Sequence, residues 1–350
     1  MVLPEAPSDT KDARTGEPSV SAGPESETRV VLRTRAYSRL RPVGPIVARR
    51  VLDLALLLAV LSTLLFFLLR ATGDPLAALA GEDATPEILT SIRVQYGFDD
   101  SLFIQYCRFV GQIMRGEFGQ SLASGDAAIR MVLQALPATL LLASLAMSLT
   151  ILIALPLGAW LGSAPERPMQ RVAAAVVYVL QGTPGFLAAL VLVQIFAIQA
   201  NWLPALGFAG PKSWILPSLS LSLFLVPKLA RVISVNVNEM MHQDFVRAAM
   251  AVGAGPQAIL WRHVVPNALL GAVALMGTQF AALVGGAAVI ETIFAWPGLG
   301  RLLVQSALQL DFPTIQAAAL VVAVLVFLAN IATDLLLVAL DPRLATSGVT

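Results

Sequence analysis

Six long apolar stretches constrain this chain of 350 residues more than any other feature. They run Leu52 to Leu69, Leu136 to Leu161, Val172 to Ala200, Ile215 to Leu229, Ala268 to Ile290 and Ile315 to Leu340. A helix needs about 20 apolar residues to cross a bilayer, and within hydrocarbon a helix satisfies all of its own backbone groups. Five of the stretches approach or exceed that length. The fourth is shorter and carries Pro217 and Pro227 near its ends. The expectation is an all-α, polytopic membrane protein with six transmembrane helices. Composition agrees: 57% of residues are hydrophobic and 13% charged, against about 25% charged in a soluble protein. Cys107 is the single cysteine, which excludes an intramolecular disulfide framework and any multi-cysteine metal cluster.

The remaining charge is unevenly spread. Residues 1–47 combine Pro, Ser, Thr, Glu and Arg without apolar periodicity and read as a disordered cytoplasmic tail. A polar leader of this length is too long for a signal-peptide n-region, so the first span (48–70) reads as an uncleaved anchor. With the N-terminus inside, the inner segments hold sixteen Lys and Arg and the outer segments seven, so the positive-inside rule favours N-in and C-in. Residues 71–135 are then extracytoplasmic, 136–343 form a five-helix core and 344–350 a short tail. The outer segment carries two helix signatures. Thr85, Pro86 and Glu87 open one that Gly97 closes, and Leu102, Tyr106, Phe109, Val110 and Ile113 recur at helical spacing after Asp100. Phe109 and Ile113 therefore mark the apolar face of a small outer cap.

Between spans four and five lies an inner segment (231–267) that is neither a span nor a plain loop. From Gln243 it reads QDFVRAAMAVGAGPQAILWRHVVPN, two short helices reversed at a glycine turn. Asp244 is expected to cap the first, which stops at Gly253 and Gly255, and Pro256 to start the second, which ends near Pro266. Such a hairpin, joined to two transmembrane helices, is a lever on which a soluble partner can act.

Arg247, Ala248 and Ala249, followed by Gly253, His263, Pro266 and Asn267, resemble the cytoplasmic EAA loop of binding-protein-dependent ABC importer permeases. Gly73-Asp74-Pro75, Gly116-Glu117-Phe118-Gly119 with Ser121, Glu291-Thr292-Ile293-Phe294 with Trp296-Pro297-Gly298-Leu299-Gly300, and Asp341-Pro342-Arg343 extend the likeness to the dipeptide, oligopeptide and nickel branch. The long outer segment resembles the B-type subunit. The resemblance implies a subunit of the bacterial inner membrane, without catalytic chemistry or bound cofactor, that imports short peptides by alternating access. It implies partners as well: a homologous C-type permease, two ATPases that use ATP and Mg and dock on the loop, an extracytoplasmic substrate-binding protein, and lipid, with no nucleic acid. Permeases of the same pattern also serve nickel or other small solutes. Two features depart from it: Arg247 replaces the name-giving glutamate, and Met250 and Val252 stand where relatives are basic.

Other residues invite functional readings. Gln181-Gly182-Thr183-Pro184-Gly185 interrupts the third span, and irregular backbone at membrane depth needs protein or a cavity beside it, so Gln181 and Pro184 are candidates for the pathway. Asp334 is an ionisable group inside the last span and must face inward, either to pair with a neighbouring helix or, as a further pathway candidate, to meet the substrate path. His242 and His263 have only Glu239 and Asp244 near them, so no metal site is expected. No G-x-x-x-x-G-K-[ST] loop is present, and ATP energy must arrive through another chain. A stand-alone channel or secondary carrier is the rival, but the chain lacks the several buried ionisable groups and inverted halves typical of carriers.

Overall fold

A computed structural model describes residues 43–72, Thr90 and residues 100–340. The tail before residue 43, the helix expected from Thr85 to Gly97, Gly73-Asp74-Pro75 and Asp341-Pro342-Arg343 lie outside the described residues. Compactness divides the chain into Met1–Asp53, of which the described part is helical, and Leu54–Thr350. The helices are α1 (Val43–Thr72), α2 (Leu102–Met114), α3 (Ala128–Ser163), α4 (Pro168–Gln181), α5 (Gly185–Leu192), α6 (Pro211–Met241), α7 (Asp244–Ala251), α8 (Pro256–Ala258), α9 (Val265–Gly286), α10 (Ala288–Ile293), α11 (Leu299–Leu308) and α12 (Phe312–Leu340). Two π-helical stretches continue them: Val193–Gln199 follows α5, and Ile259–Val264 joins α8 to α9. Among the described residues five helices are long and apolar enough to cross a membrane, and six if α4 and α5, bent by 99°, form one broken span.

The most extensive packing joins α3 to α6. Small residues make it possible, because in lipid helices gain from close backbone approach rather than from hiding apolar surface. Gly158 and Gly162, four residues apart, lie against α6: a Cβ on Gly158 would fall 2.7 Å from the Ala230 carbonyl oxygen, and one on Gly162 would run into the Ser234 carbonyl. Around this seam α9 packs on α6, α3 and α12. One apolar core gathers Leu142, Leu216, Leu225, Leu283, Phe294 and Trp296, and a second gathers Ile233, Val237, Val246, Ile259, Leu260 and Val264 near the hairpin. Exposed Leu152, Val179 and Leu335 give the outward faces the apolar character of a surface in lipid.

Three sequence expectations change. The fourth span is one continuous helix of 31 residues with Pro217 and Pro227 inside it. Tertiary packing against α3 and α9 holds it continuous, and beside the first proline Ser218 Oγ donates to the Trp214 carbonyl at 2.6 Å and Ser220 Oγ to the Leu216 carbonyl at 2.7 Å. Asp244 does not cap α7. Gln243 occupies that position, and Asp244 is the first helical residue, where its charge favours the helix dipole. The second hairpin helix does not end at Pro266. It runs through the π-helical stretch into α9, and Pro266 falls in the first turn of α9, where a missing N–H costs least.

Between the first two spans the helix expected after Asp100 forms as α2. Ser101 caps it by accepting the Ile104 N–H at 3.5 Å. Its apolar side meets α1: Phe109 and Tyr106 each lie 5.3 Å from the fully buried Phe66 ring, and the Tyr106 and Thr63 hydroxyls are 2.7 Å apart. Ile113 is half-buried on the same helix.

Candidate functional site

The hairpin is built from a buried root and an exposed tip. Val246 on α7 and Ile259, Leu260 and Val264 on the second limb are buried against Ile233 and Val237 of α6. The reversal is encoded at Gly253, whose φ of +86° lies in the left-handed region. The Ala254 N–H donates to the Ala249 carbonyl at 3.1 Å and the Gly253 N–H to the Met250 carbonyl at 3.0 Å, the two bonds of a Schellman cap. No atom lies within 4 Å of where a Gly253 Cβ would stand, so the glycine answers to backbone conformation alone.

Exposed on the hairpin are Asp244, Arg247, Ala248, Gly255, His263, Pro266 and Asn267, while Ala249 is half-buried. Arg247 pairs with Asp244 at 3.5 Å, both in open solvent, where such a pair contributes little. Asn267 Nδ2 donates to the His263 carbonyl at 2.7 Å, and His242 Nδ1 donates to the Asn238 carbonyl at 2.7 Å. Val252 is 85% exposed and Met250 54%. Exposed Arg262 adds a further cation, so charge on this surface is sparse, with apolar side chains beside the turn. Among the described residues no three His, Cys, Asp or Glu side chains converge as a metal site would require.

Of the pathway candidates, Gln181 and Pro184 flank the 99° elbow between α4 and α5. Gln181 ends α4 and Pro184 holds the position before α5. Asp334 stands half-buried on α12, far along the chain from them. Beside it Thr333 fills the space next to Gly277, where a Cβ would collide with its side chain.

A polar knot at the other end of α9 was not foreseen as a unit. Glu291 of α10 is fully buried. The Thr139 hydroxyl donates to its Oε1 at 2.7 Å, and the Arg301 backbone N–H donates to its Oε2 at 3.0 Å. Thr139 in turn accepts the Leu299 N–H at 2.8 Å, and Trp296 Nε1 donates to the Ala138 carbonyl at 2.9 Å. Arg301 closes the loop by donating to the Ala295 carbonyl at 2.6 Å. A Cβ on Gly298 would run into the Glu291 carboxylate, and one on Gly300 would lie 2.5 Å from the Ala288 Cα. Burial pushes the Glu291 carboxyl above its usual range, against hydrogen bonds from Thr139, Arg301 and Gly300 that pull it down. The sequence signal was available: an acid among glycines and aromatics just past a span. Its partner Thr139 lies 152 residues earlier.

A second knot holds the segment between α2 and α3. Buried Asp311 accepts from the Ser121 hydroxyl at 2.5 Å, the Leu122 N–H at 3.1 Å and the Thr314 hydroxyl at 2.8 Å. The turn that carries Ser121 is thereby tied to the start of α12.

Known proteins agree with this architecture. Residues 154–346 match the family described as the binding-protein-dependent transport system inner membrane component, and residues 45–143 match its N-terminal region. A probable peptide ABC transporter permease of Sinorhizobium fredii is 31% identical over 311 residues, covering 86% of this chain and 99% of the relative. The glutathione transport system permease of Escherichia coli (strain K12) is 31% identical over 303 residues, 85% of this chain and 98% of the relative. The fold is that of a chain in the inward-facing MetNI methionine ABC transporter, with a TM-score of 0.52 at 21% identity, covering 60% of this chain and 96% of that one. The chain belongs to the binding-protein-dependent inner membrane component family. It is a multi-pass permease subunit of an ABC importer, not an enzyme, and works with ATPase and substrate-binding partners.

Proposed function

We propose that this subunit imports short peptides by alternating access, with both termini inside and the Gln243–Asn267 hairpin on the cytoplasmic face. Separate ATPase subunits, using ATP and Mg, act on that hairpin. A homologous C-type permease completes the pathway, and an extracytoplasmic binding protein delivers substrate. Peptide as cargo is supported by the peptide permease of Sinorhizobium fredii and by the glutathione permease, since glutathione is itself a small peptide. The observation that carries the mechanism is the hairpin itself. Its root is packed into α6 and α9 while its tip is exposed, so force on the tip reaches two spans through a short rigid path. Conformational energy can pass only through contacts that differ between two states, and this hairpin offers such contacts to a soluble partner.

Reconstitution tests the reading. Vesicles containing this chain, its partner permease and the ATPases, supplied with peptide-loaded binding protein, should accumulate peptide when ATP is present inside and not when the ATPases are omitted. Accumulation that ignores ATP would overturn the assignment in favour of a channel or secondary carrier.

A further inference from the structure

Two cations stand close together on α6, at the end of its apolar stretch. Lys228 and Arg231 are three residues apart and share a face. Lys228, half-buried, holds its Nζ 3.9 Å from the centre of the Phe224 ring. The Arg231 guanidinium lies 5.2 Å from the Tyr178 ring of α4. Among the described residues neither is salt-bridged to a carboxylate.

The same face meets the broken span. A Cβ on Gly185, the first residue of α5, would lie 3.3 Å from Phe224. Tyr178 sits in the last turn of α4, just before the break. The elbow, the two rings and the two cations therefore form one constellation. Rings orient a cation but leave most of its N–H donors unsatisfied. Charged groups within a span face a protein interior or water-filled cavity, and broken helices occur where irregular backbone lines such a cavity. Lys228 stands one residue before the end of the apolar stretch Ile215 to Leu229, and Arg231, whose side chain is exposed, two residues beyond it. The planar fork of Arg suits a carboxylate in two-point contact.

We propose that Lys228 and Arg231, held by Phe224 and Tyr178 beside the elbow, form a carboxylate subsite of the translocation pathway that takes the C-terminal carboxylate of a passing peptide. The proposal rests on the peptide-import reading. It also fits that reading's demands, because the α-carboxylate is common to unmodified peptides whatever their side chains.

The experiment uses the complete reconstituted complex and two probes, a tripeptide and its C-terminal amide, each supplied on saturated binding protein. Replacing both cations (Lys228→Met with Arg231→Met) should lower the uptake rate of the free acid by about tenfold or more and leave the amide at the wild-type rate, while Lys228→Arg retains acid transport. Equal loss of both probes, with Lys228→Arg equally impaired, would overturn the subsite in favour of a structural role. Unchanged acid transport in the double variant would overturn it outright. Loss of acid transport in phosphatidylglycerol vesicles that disappears in phosphatidylcholine vesicles would assign the cations to anionic lipid headgroups and overturn it too. Absence of ATP-dependent uptake of either probe by the wild type would instead remove the import reading and the subsite together.

Discussion

The two ends of α9 are built on opposite plans. Where α9 emerges from the hairpin, contacts are apolar and local: Val246, Ile259 and Val264 bury a root, and a glycine turn projects a tip whose side chains meet solvent. Where α9 gives way to α10, the contacts are polar, buried and remote in sequence, joining Glu291 and Leu299 to Thr139, and Trp296 to Ala138. A buried hydrogen-bond network holds a single arrangement, because any member left without a partner keeps its desolvation cost. An apolar root with an exposed tip can shift against a partner without leaving polar groups unpaired. The knot therefore fixes α3, α10 and α11 as one body, and the hairpin is the part of the chain suited to be moved.

That contrast predicts where substitutions damage the fold and where they damage only transport. The largest effect on stability belongs to the knot. Thr139→Val removes two hydrogen bonds at once and leaves the Glu291 carboxylate and the Leu299 N–H short of partners, a loss of about 3 kcal/mol. Gly298→Ala should be comparably severe because its methyl group occupies the carboxylate position. Both should be read as melting temperature and yield of monodisperse protein in detergent. Wild-type melting of both would dissolve the distinction between the two ends.

Smaller is the expected effect at the second knot. Ser121→Ala leaves Asp311 with the Leu122 N–H and Thr314 but breaks the bridge to Ser124, a loss of about 1 kcal/mol. Limited proteolysis should then cut faster between Ser121 and Gly125, with the spans intact. An unchanged cutting pattern would mean that Asp311 does not tie this turn to α12.

The smallest effect is a pH dependence. Burial holds the Glu291 carboxyl above its ordinary value of 4.5. A folded-state pKa raised above the unfolded one gives stability that is full below the unfolded value and is lost as pH rises through the folded value. Glu291→Gln cannot titrate, so relative to wild type its melting temperature should improve as pH rises above the ordinary carboxylate value, and level off once the raised folded-state value is passed. A difference independent of pH would show that the carboxylate is as well stabilised when charged as when neutral.

How much of this was legible in the sequence follows the same division. The spans, α2 and the hairpin could be read because their signals are local: apolar length, helical spacing at Leu102 to Ile113, and Gly253 ahead of Pro256. The Glu291 knot could not, since Thr139 and Glu291 meet only after α3 and α10 have packed. Pro217 and Pro227 suggested a weak fourth span because proline breaks an isolated helix, whereas here packing against α3 and α9 holds the helix together and local composition does not display it. Pro266 looked like a stop for a similar reason: in a helix that enters through a π-helical stretch, it falls where proline is tolerated.

The central claim is that the hairpin carries ATP energy to the spans, and the ratio of peptide imported to ATP hydrolysed tests it most directly. Gly253→Val forces a β-branched residue into a left-handed conformation at a cost of about 1–2 kcal/mol, and Ala249→Trp crowds the half-buried small patch beside it. In reconstituted vesicles, complexes carrying either substitution should still assemble and still receive loaded binding protein. Their import per ATP should fall well below the wild-type ratio. A wild-type ratio in both variants would contradict the account and move the transmission of force elsewhere in the chain.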